Sequence, residues 1–155
     1  PIRSYENANS AENYGVEFEL RKGFEFVGKN FNDFFFVGNL SLISSKIKLD
    51  NNGFQVSERP LQGQADFIMN LGLYYDEPAG NLSASLIYNK VGERISKVGY
   101  AGLGDIIEKP RDQVDFSVSR NLLPSLNIKL TVKDLLAQDH LFIQKSPLGD
   151  KFAER

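Results

Sequence analysis

Apolar residues recur at every second position in six stretches of the chain. In NYGVEFELR, Tyr14, Val16, Phe18 and Leu20 alternate with Gly15, Glu17, Glu19 and Arg21; in FVGNLSLISS, Phe36, Leu40 and Leu42 share a parity with Gly38, opposite Asn39 and Ser41. DFIMNLGLYYD sets Phe67, Met69, Leu71, Leu73 and Tyr75 against Asn70 and Gly72, although Ile68 and Tyr74 blur the second face. GNLSASLIYNKVG places Leu82, Ala84, Leu86 and Tyr88 opposite Ser83, Ser85 and Asn89. VDFSVSR and LNIKLTVK complete the set: Val114, Phe116 and Val118 oppose Asp115, Ser117 and Ser119, and Leu126, Ile128, Leu130 and Val132 oppose Asn127, Lys129, Thr131 and Lys133. A period of two sends successive side chains to opposite faces, so the pattern predicts six strands, each with one oily and one polar face. No helical period of comparable clarity is present.

The connections alternate in length. DEPAGN (76–81) and RNLLPS (120–125) are short and carry Pro, Gly, Asn and Asp where tight turns use them. The links over residues 46–63, 90–112 and from 134 onward are long, polar and broken by Gly or Pro, and the segment after Leu136 reads as loop without a terminal strand. GFEFVGKNFND (23–33) belongs to the short set by order, though it is not tight. In an up-and-down antiparallel sheet, alternate connections share an end, so the long ones gather at one rim and the short ones at the other. Phe24, Phe26, Phe31, Phe34, Phe35 and Phe36, with Tyr74 and Tyr75, concentrate rings near the short-turn rim. Such a cluster fits an aromatic girdle of a membrane barrel or an aromatic plug of a soluble sheet.

Alternation alone leaves open what covers the oily face, because a soluble sandwich or closed barrel turns the same face inward. The polar parity separates the readings better. A solvated strand face usually carries long charged side chains, whereas Asn39, Ser41, Asn70, Gly72, Ser83, Ser85, Ser117 and Ser119 are compact. Glu17, Glu19, Lys129 and Lys133 depart from this, and a wide lumen tolerates them. We therefore read the polar parity as lumen and the apolar parity as lipid. Bacterial single-chain barrels begin at about eight strands, so six make part of a larger sheet.

Composition changes this picture little. At 155 residues the chain is one domain in length; 18 basic and 20 acidic residues give a net charge of −2 with no basic run, which argues against a nucleic-acid partner. The absence of cysteine removes disulfides and thiolate sites. No stretch reaches the roughly 18 consecutive apolar residues of a membrane helix, which says nothing about strands. Pro1 is followed by no basic and apolar leader, so the chain is expected to be a fragment or a processed product.

Candidate chemistry is sparse. Glu17 and Glu19 share a strand face and could form a carboxylate pair or a calcium site, but lumen-facing charges paired with neighbouring strands are the expectation. Asp105, Glu108 and Asp112 crowd AGLGDIIEKPRD, which has neither EF-hand nor phosphate-loop spacing and is expected to be a solvated surface loop. His140, the single histidine, is expected to be solvated. No nucleophile elbow or Walker pattern occurs. No catalytic, cofactor or metal site is assigned, and the chain is not expected to be an enzyme.

NYGVEFELRK (13–22), ERPLQGQADFIMNLGLYYD (58–76), GNLSASLIYNKVGERISKVG (80–99), EKPRDQVDFSVSR (108–120) and LNIKLTVKDLLAQ (126–138), in that order, resemble the C-terminal part of the barrel in TonB-dependent outer-membrane receptors. The likeness implies a barrel of about 22 strands around an N-terminal plug, importing a nutrient with energy passed by TonB. Residues 1–155 would then be the C-terminal portion of that barrel, without plug or closing strand and without transport of their own. Implied partners are the lipid bilayer, the rest of the barrel and plug, TonB through the plug region, and an extracellular lipoprotein where one exists. The long connections would be extracellular and the short ones periplasmic, with ERPLQGQ (58–64) structural. No ligand contact carries over to a numbered residue. The competing expectation is a soluble antiparallel β domain that binds a small apolar ligand or a sugar.

Overall fold

The computed structural model describes residues 8–49, 58–99, 103–145 and 151–154. Pro1 lies outside them, as do 50–57 and 100–102 of two long connections. The six expected strands form one antiparallel sheet: β1 (Ser10–Gly23), β2 (Phe34–Lys48), β4 (Phe67–Asp76), β5 (Leu82–Val91), β8 (Arg111–Leu123) and β9 (Leu126–Val132), neighbours in that order. A two-residue strand, β3 (Glu58–Arg59), pairs with the end of β2. The architecture is all-β and up-and-down, and neither of its sheets closes on itself.

Register keeps the two parities apart across the whole sheet. One hydrogen-bonded row runs Leu20, Gly38, Leu71, Tyr88, Val114; the next on that face runs Phe36, Leu73, Leu86, Phe116, Val132. Between them on the opposite face lies Arg21, Val37, Gly72, Ile87, Asp115. Slipping any strand by one residue would break both faces at once, so the hydrophobic pattern itself specifies this register. Ile68 and Tyr74, which blurred the sequence pattern, sit on the polar face: Tyr74 stacks on Phe35 with centroids 4.9 Å apart, while Phe34 and Tyr75 meet at 4.8 Å on the oily face.

The three short connections share one end. Phe24–Phe34 is bridged by a 3-10 turn at Lys29–Phe31. The second turn closes with Gly80 N–H donating to Glu77 O at a φ of +71°, a conformation glycine adopts freely. The third is tighter than RNLLPS suggested, because β8 runs on through a register shift to Leu123 and leaves only Pro124 and Ser125.

The long connections depart from expectation. Instead of polar loops they carry a second antiparallel sheet built from β6 (Arg94–Lys97), β7 (Ile106–Glu108), β10 (Phe142–Lys145) and β11 (Lys151–Glu154), ordered β11, β10, β7, β6. The segment after Leu136, expected as loop, supplies two of these strands. Each has only three or four residues, too few to display a period, and the pairing of β7 with β10 joins segments far apart in the chain.

Burial concentrates where the second sheet meets the first. Among the described residues Ile47, Leu49, Ala65 and Ile95 are the buried hydrophobic side chains, and no large side chain is completely buried. The loop before β4 ties the sheets together: Gly63 N–H donates to Ile95 O, Gln62 Nε2 to Ser96 O and Leu61 N–H to Ser45 Oγ. Among the described residues, the oily face has no such cover. Tyr14 is 68 % exposed, Phe18 and Leu20 57 %, and Leu86 in the middle of the sheet 44 %.

Candidate functional site

The polar face and the second sheet at its long-connection end form the candidate site. Register brings Glu19, Asn39, Asn70, Asn89 and Gln113 into one row across five strands, four carboxamides and a carboxylate about 4.8 Å apart. Each carboxamide offers two donors and an acceptor without a charge. Apolar residues flank them, Val37 and Ile87 on one side and Ile68 and Val91 on the other, while charges occupy the lateral ends: Glu17 and Arg21 on β1, Arg111 and Asp115 on β8. The row thus has neutral, hydrogen-bonding residues at its centre and charged ones toward its sides.

Above this row the second sheet folds over the polar face. A cleft of about 450 Å³ separates Ile43 and Ser45 of β2 from Ile95 and Ile107, with Ala65 and Asp66 from the intervening loop in its wall. A smaller one, about 180 Å³, lies between Asn89, Val91, Arg111 and Gln113 on the large sheet and Arg94, Glu108 and His140 on the other side.

Ion pairs brace the elements on either side of this cleft. Arg94 and Glu108 are cross-strand partners on β6 and β7 and form a bidentate pair, Nε to Oε2 at 2.8 Å and Nη2 to Oε1 at 3.1 Å. The Arg94 guanidinium holds the Glu108 carboxyl below the ordinary carboxylate range, against the opposing push of burial. Lys109 pairs with Glu93. Arg111 Nη1 donates to Asp134 Oδ2 at 2.6 Å, which pins the turn after β9 to the start of β8.

The residues singled out from sequence are dispersed. Glu17 accepts a bond from the buried Ser41 hydroxyl at 3.2 Å, on the face it shares with Glu19. Asp105 Oδ1 accepts from Gly99 N–H at 2.7 Å, Glu108 is taken by Arg94, and Asp112 Oδ1 accepts from Tyr88 at 2.5 Å and pairs with Lys90 at 2.8 Å. Lys90 and Asp112 lie on the oily parity, level with Phe18, Leu40 and Met69. His140 is 56 % exposed, its Nδ1 3.8 Å from Glu108 Oε1. Among the described residues no three His, Cys, Asp or Glu side chains gather as metal ligands would.

Sequence reasoning missed Arg94, Lys109, Arg111 and Asp134. Their partners are 14, 16, 23 and 23 residues away, and only the strand register reveals the pairing. What the arrangement offers is hydrogen bonding by neutral amides, with charged side chains at its margins. No family model, curated protein or solved structure matches the chain, so the likeness to TonB-dependent receptors rests on the five quoted segments.

Proposed function

We propose that the chain is a stretch of the wall of an outer-membrane β-barrel of the TonB-dependent receptor type, which takes part in nutrient import without enzymatic chemistry of its own. One observation carries the reading: among the described residues the oily face runs over six strands without cover, while the described strands of the long connections fold onto the polar face instead. A soluble sheet gains about 25 cal/mol for each Å² of apolar surface it buries, so folding its loops over the wrong face forfeits that gain. In lipid the same face is solvated by acyl chains and needs no cover.

The remaining parts of the reading follow from this. The outer edges of β1 and β9 present unpaired backbone groups, each costing several kcal/mol in a bilayer, so further strands of the same barrel would flank them. The amide row and its apolar flanks face the lumen, where a plug domain would pack, and TonB would act through that plug. The long connections, with the second sheet, stand at the extracellular rim, where a lipoprotein partner would also sit. No nucleic-acid partner is proposed.

Fractionation tests the proposal. The native protein should sediment with outer membranes and migrate anomalously on gels unless heated. Recovery of this chain as a monodisperse, cooperatively folding monomer without detergent would overturn it in favour of a soluble ligand-binding β domain.

A further inference from the structure

We infer that the larger cleft between the two sheets is a binding site for a small aliphatic ammonium ion, whose N–H groups meet carboxylates at the mouth while its hydrocarbon body rests on an apolar floor. This goes beyond the barrel-wall reading and holds whichever solvent meets the oily face, because Ile43 in the cleft wall belongs to the polar parity, level with Gly15.

At about 450 Å³ the cleft is in the size range of small-molecule sites. Its floor is apolar: Ala65 and Ile95 are buried, and Ile43 and Ile107 are half-buried beside them. Its mouth is acidic, with Asp66 and Glu93 exposed and Asp105 half-buried. Among the described residues that line it, Arg94 is the one cation, and that guanidinium is engaged by Glu108 through two nitrogens. Glu93 is paired with Lys109. Neither Asp66 nor Asp105 has a cationic partner among the described residues, so two carboxylates stand uncompensated in a concave, partly apolar wall. Such a wall focuses its field on an entering cation.

Backbone contacts position both carboxylates. Ile43 N–H donates to Asp66 O at 2.8 Å, and Gly92 N–H donates to Phe67 O at 2.8 Å, which holds Asp66 between β2 and the end of β5. A Cβ built on Gly92 would overlap Asp66 Oδ1, so the carboxylate occupies room that only glycine leaves. Gly99 N–H donates to Asp105 Oδ1 at 2.7 Å, fixing one oxygen and leaving the other for a ligand. The chemistry of the wall narrows the class of cation. No three carboxylates among the described residues gather as metal ligands, and a hydrated metal ion gains nothing from isoleucine. No aromatic ring lines the cleft, so it lacks the cage that suits a quaternary ammonium. An ammonium group with N–H donors forms charge-assisted bonds to the carboxylates, and its CH₂ chain gains by covering the floor.

Calorimetric titration of the intact protein in detergent tests this, with cadaverine as the ammonium probe, pentanediol as its neutral counterpart and calcium chloride as the metal. Cadaverine should bind saturably, and pentanediol and calcium should each bind at least about tenfold more weakly. Asp66→Asn and Asp105→Asn keep the side-chain shape, and at 105 an oxygen that can still accept from Gly99 N–H, so each should fold and weaken cadaverine about tenfold. Glu58→Gln removes an acid on the oily parity, level with Lys48 and paired with Lys46, and should leave the Kd unchanged. Gly92→Ala should weaken binding as well, by displacing the Asp66 carboxylate. No saturable heat with cadaverine, equal affinity for pentanediol or calcium, or asparagine variants that bind like the parent would overturn the site. None of these results bears on whether the protein sediments with outer membranes, so the two readings fail separately.

Discussion

The ring of Tyr74 occupies the space a side chain at Gly72 would need: a Cβ built on Gly72 comes within 2.5 Å of Tyr74 Cε2 and 2.8 Å of its hydroxyl. The ring is not free to leave. Phe35 stacks against it at 4.9 Å and 9°, and the Arg21 guanidinium lies 4.8 Å from the Phe35 centroid. Gly72→Ala should therefore cost about 1–3 kcal/mol, through displacement of a packed ring. In a Tyr74→Ala background the same change should cost a fraction of that, and urea unfolding of the four variants gives the coupling. Equal costs in both backgrounds would mean that the ring swings away freely.

That socket explains what could and could not be read from the sequence. Period-two alternation declared the six long strands, because each has enough residues to show it. Tyr74 and Ile68 looked like noise in the pattern because the rule knows only two faces, not that a ring on the polar face fills the gap left by a neighbouring glycine. The second sheet was illegible for another reason. Ile106, Ile107 and Glu108 form too short a run to alternate, and Ile107 becomes part of a sheet only by pairing with Ile95 and Ile143. The junction of Arg94 with Glu108 likewise exists only once both strands are placed, so the acidic run around Asp105 read as solvated loop.

Acid should loosen that junction before it affects the large sheet. Glu108 has a depressed pKa, so the stability it lends is fully present above its unfolded-state value near 4.3 and is lost as pH falls through the lower folded-state value. Arg94 is 40 % exposed, which limits the contribution to about 1 kcal/mol. Hydrogen exchange at the Ile95 and Ile107 amides should accelerate below about pH 4, relative to the exchange chemistry of the free peptide. Glu108→Gln should show the faster exchange already at pH 7 and no further step on acidification. A wild-type profile without the step would remove Glu108 from this role.

The turn after β9 is held in an unfavourable backbone conformation. Asp134 and Ala137 have φ of 55° and 46°, and the turn is fastened by Asp134 N–H donating to Asp115 Oδ1 at 2.8 Å and by Arg111 donating to Asp134. A β-branched side chain fits that region poorly, so Ala137→Val should lower stability by about 1–2 kcal/mol, while Ala137→Gly should be neutral or slightly stabilising. Denaturation midpoints of the two variants compare them directly. Valine as well tolerated as glycine would show that position 137 does not hold the left-handed conformation.

Arginine scanning of one strand decides which solvent each face meets. On β5, Leu86 belongs to the oily row with Leu73 and Phe116, while Ser85, one residue away, belongs to the polar row with Tyr74 and Ser117. The backbone, the depth and the strand are the same for both, so only the face differs. If acyl chains wet the oily face, Leu86→Arg places a guanidinium near the bilayer midplane and should cost the intact protein about 2–4 kcal/mol in a folding equilibrium with lipid vesicles. Ser85→Arg points into the lumen, where water or a plug can solvate the charge, and should cost less than about 1 kcal/mol. The ordering should hold at high salt, because the penalty is desolvation rather than pairing. A larger loss at Ser85 than at Leu86 would invert the assignment of faces, and comparable losses would remove the bilayer from it.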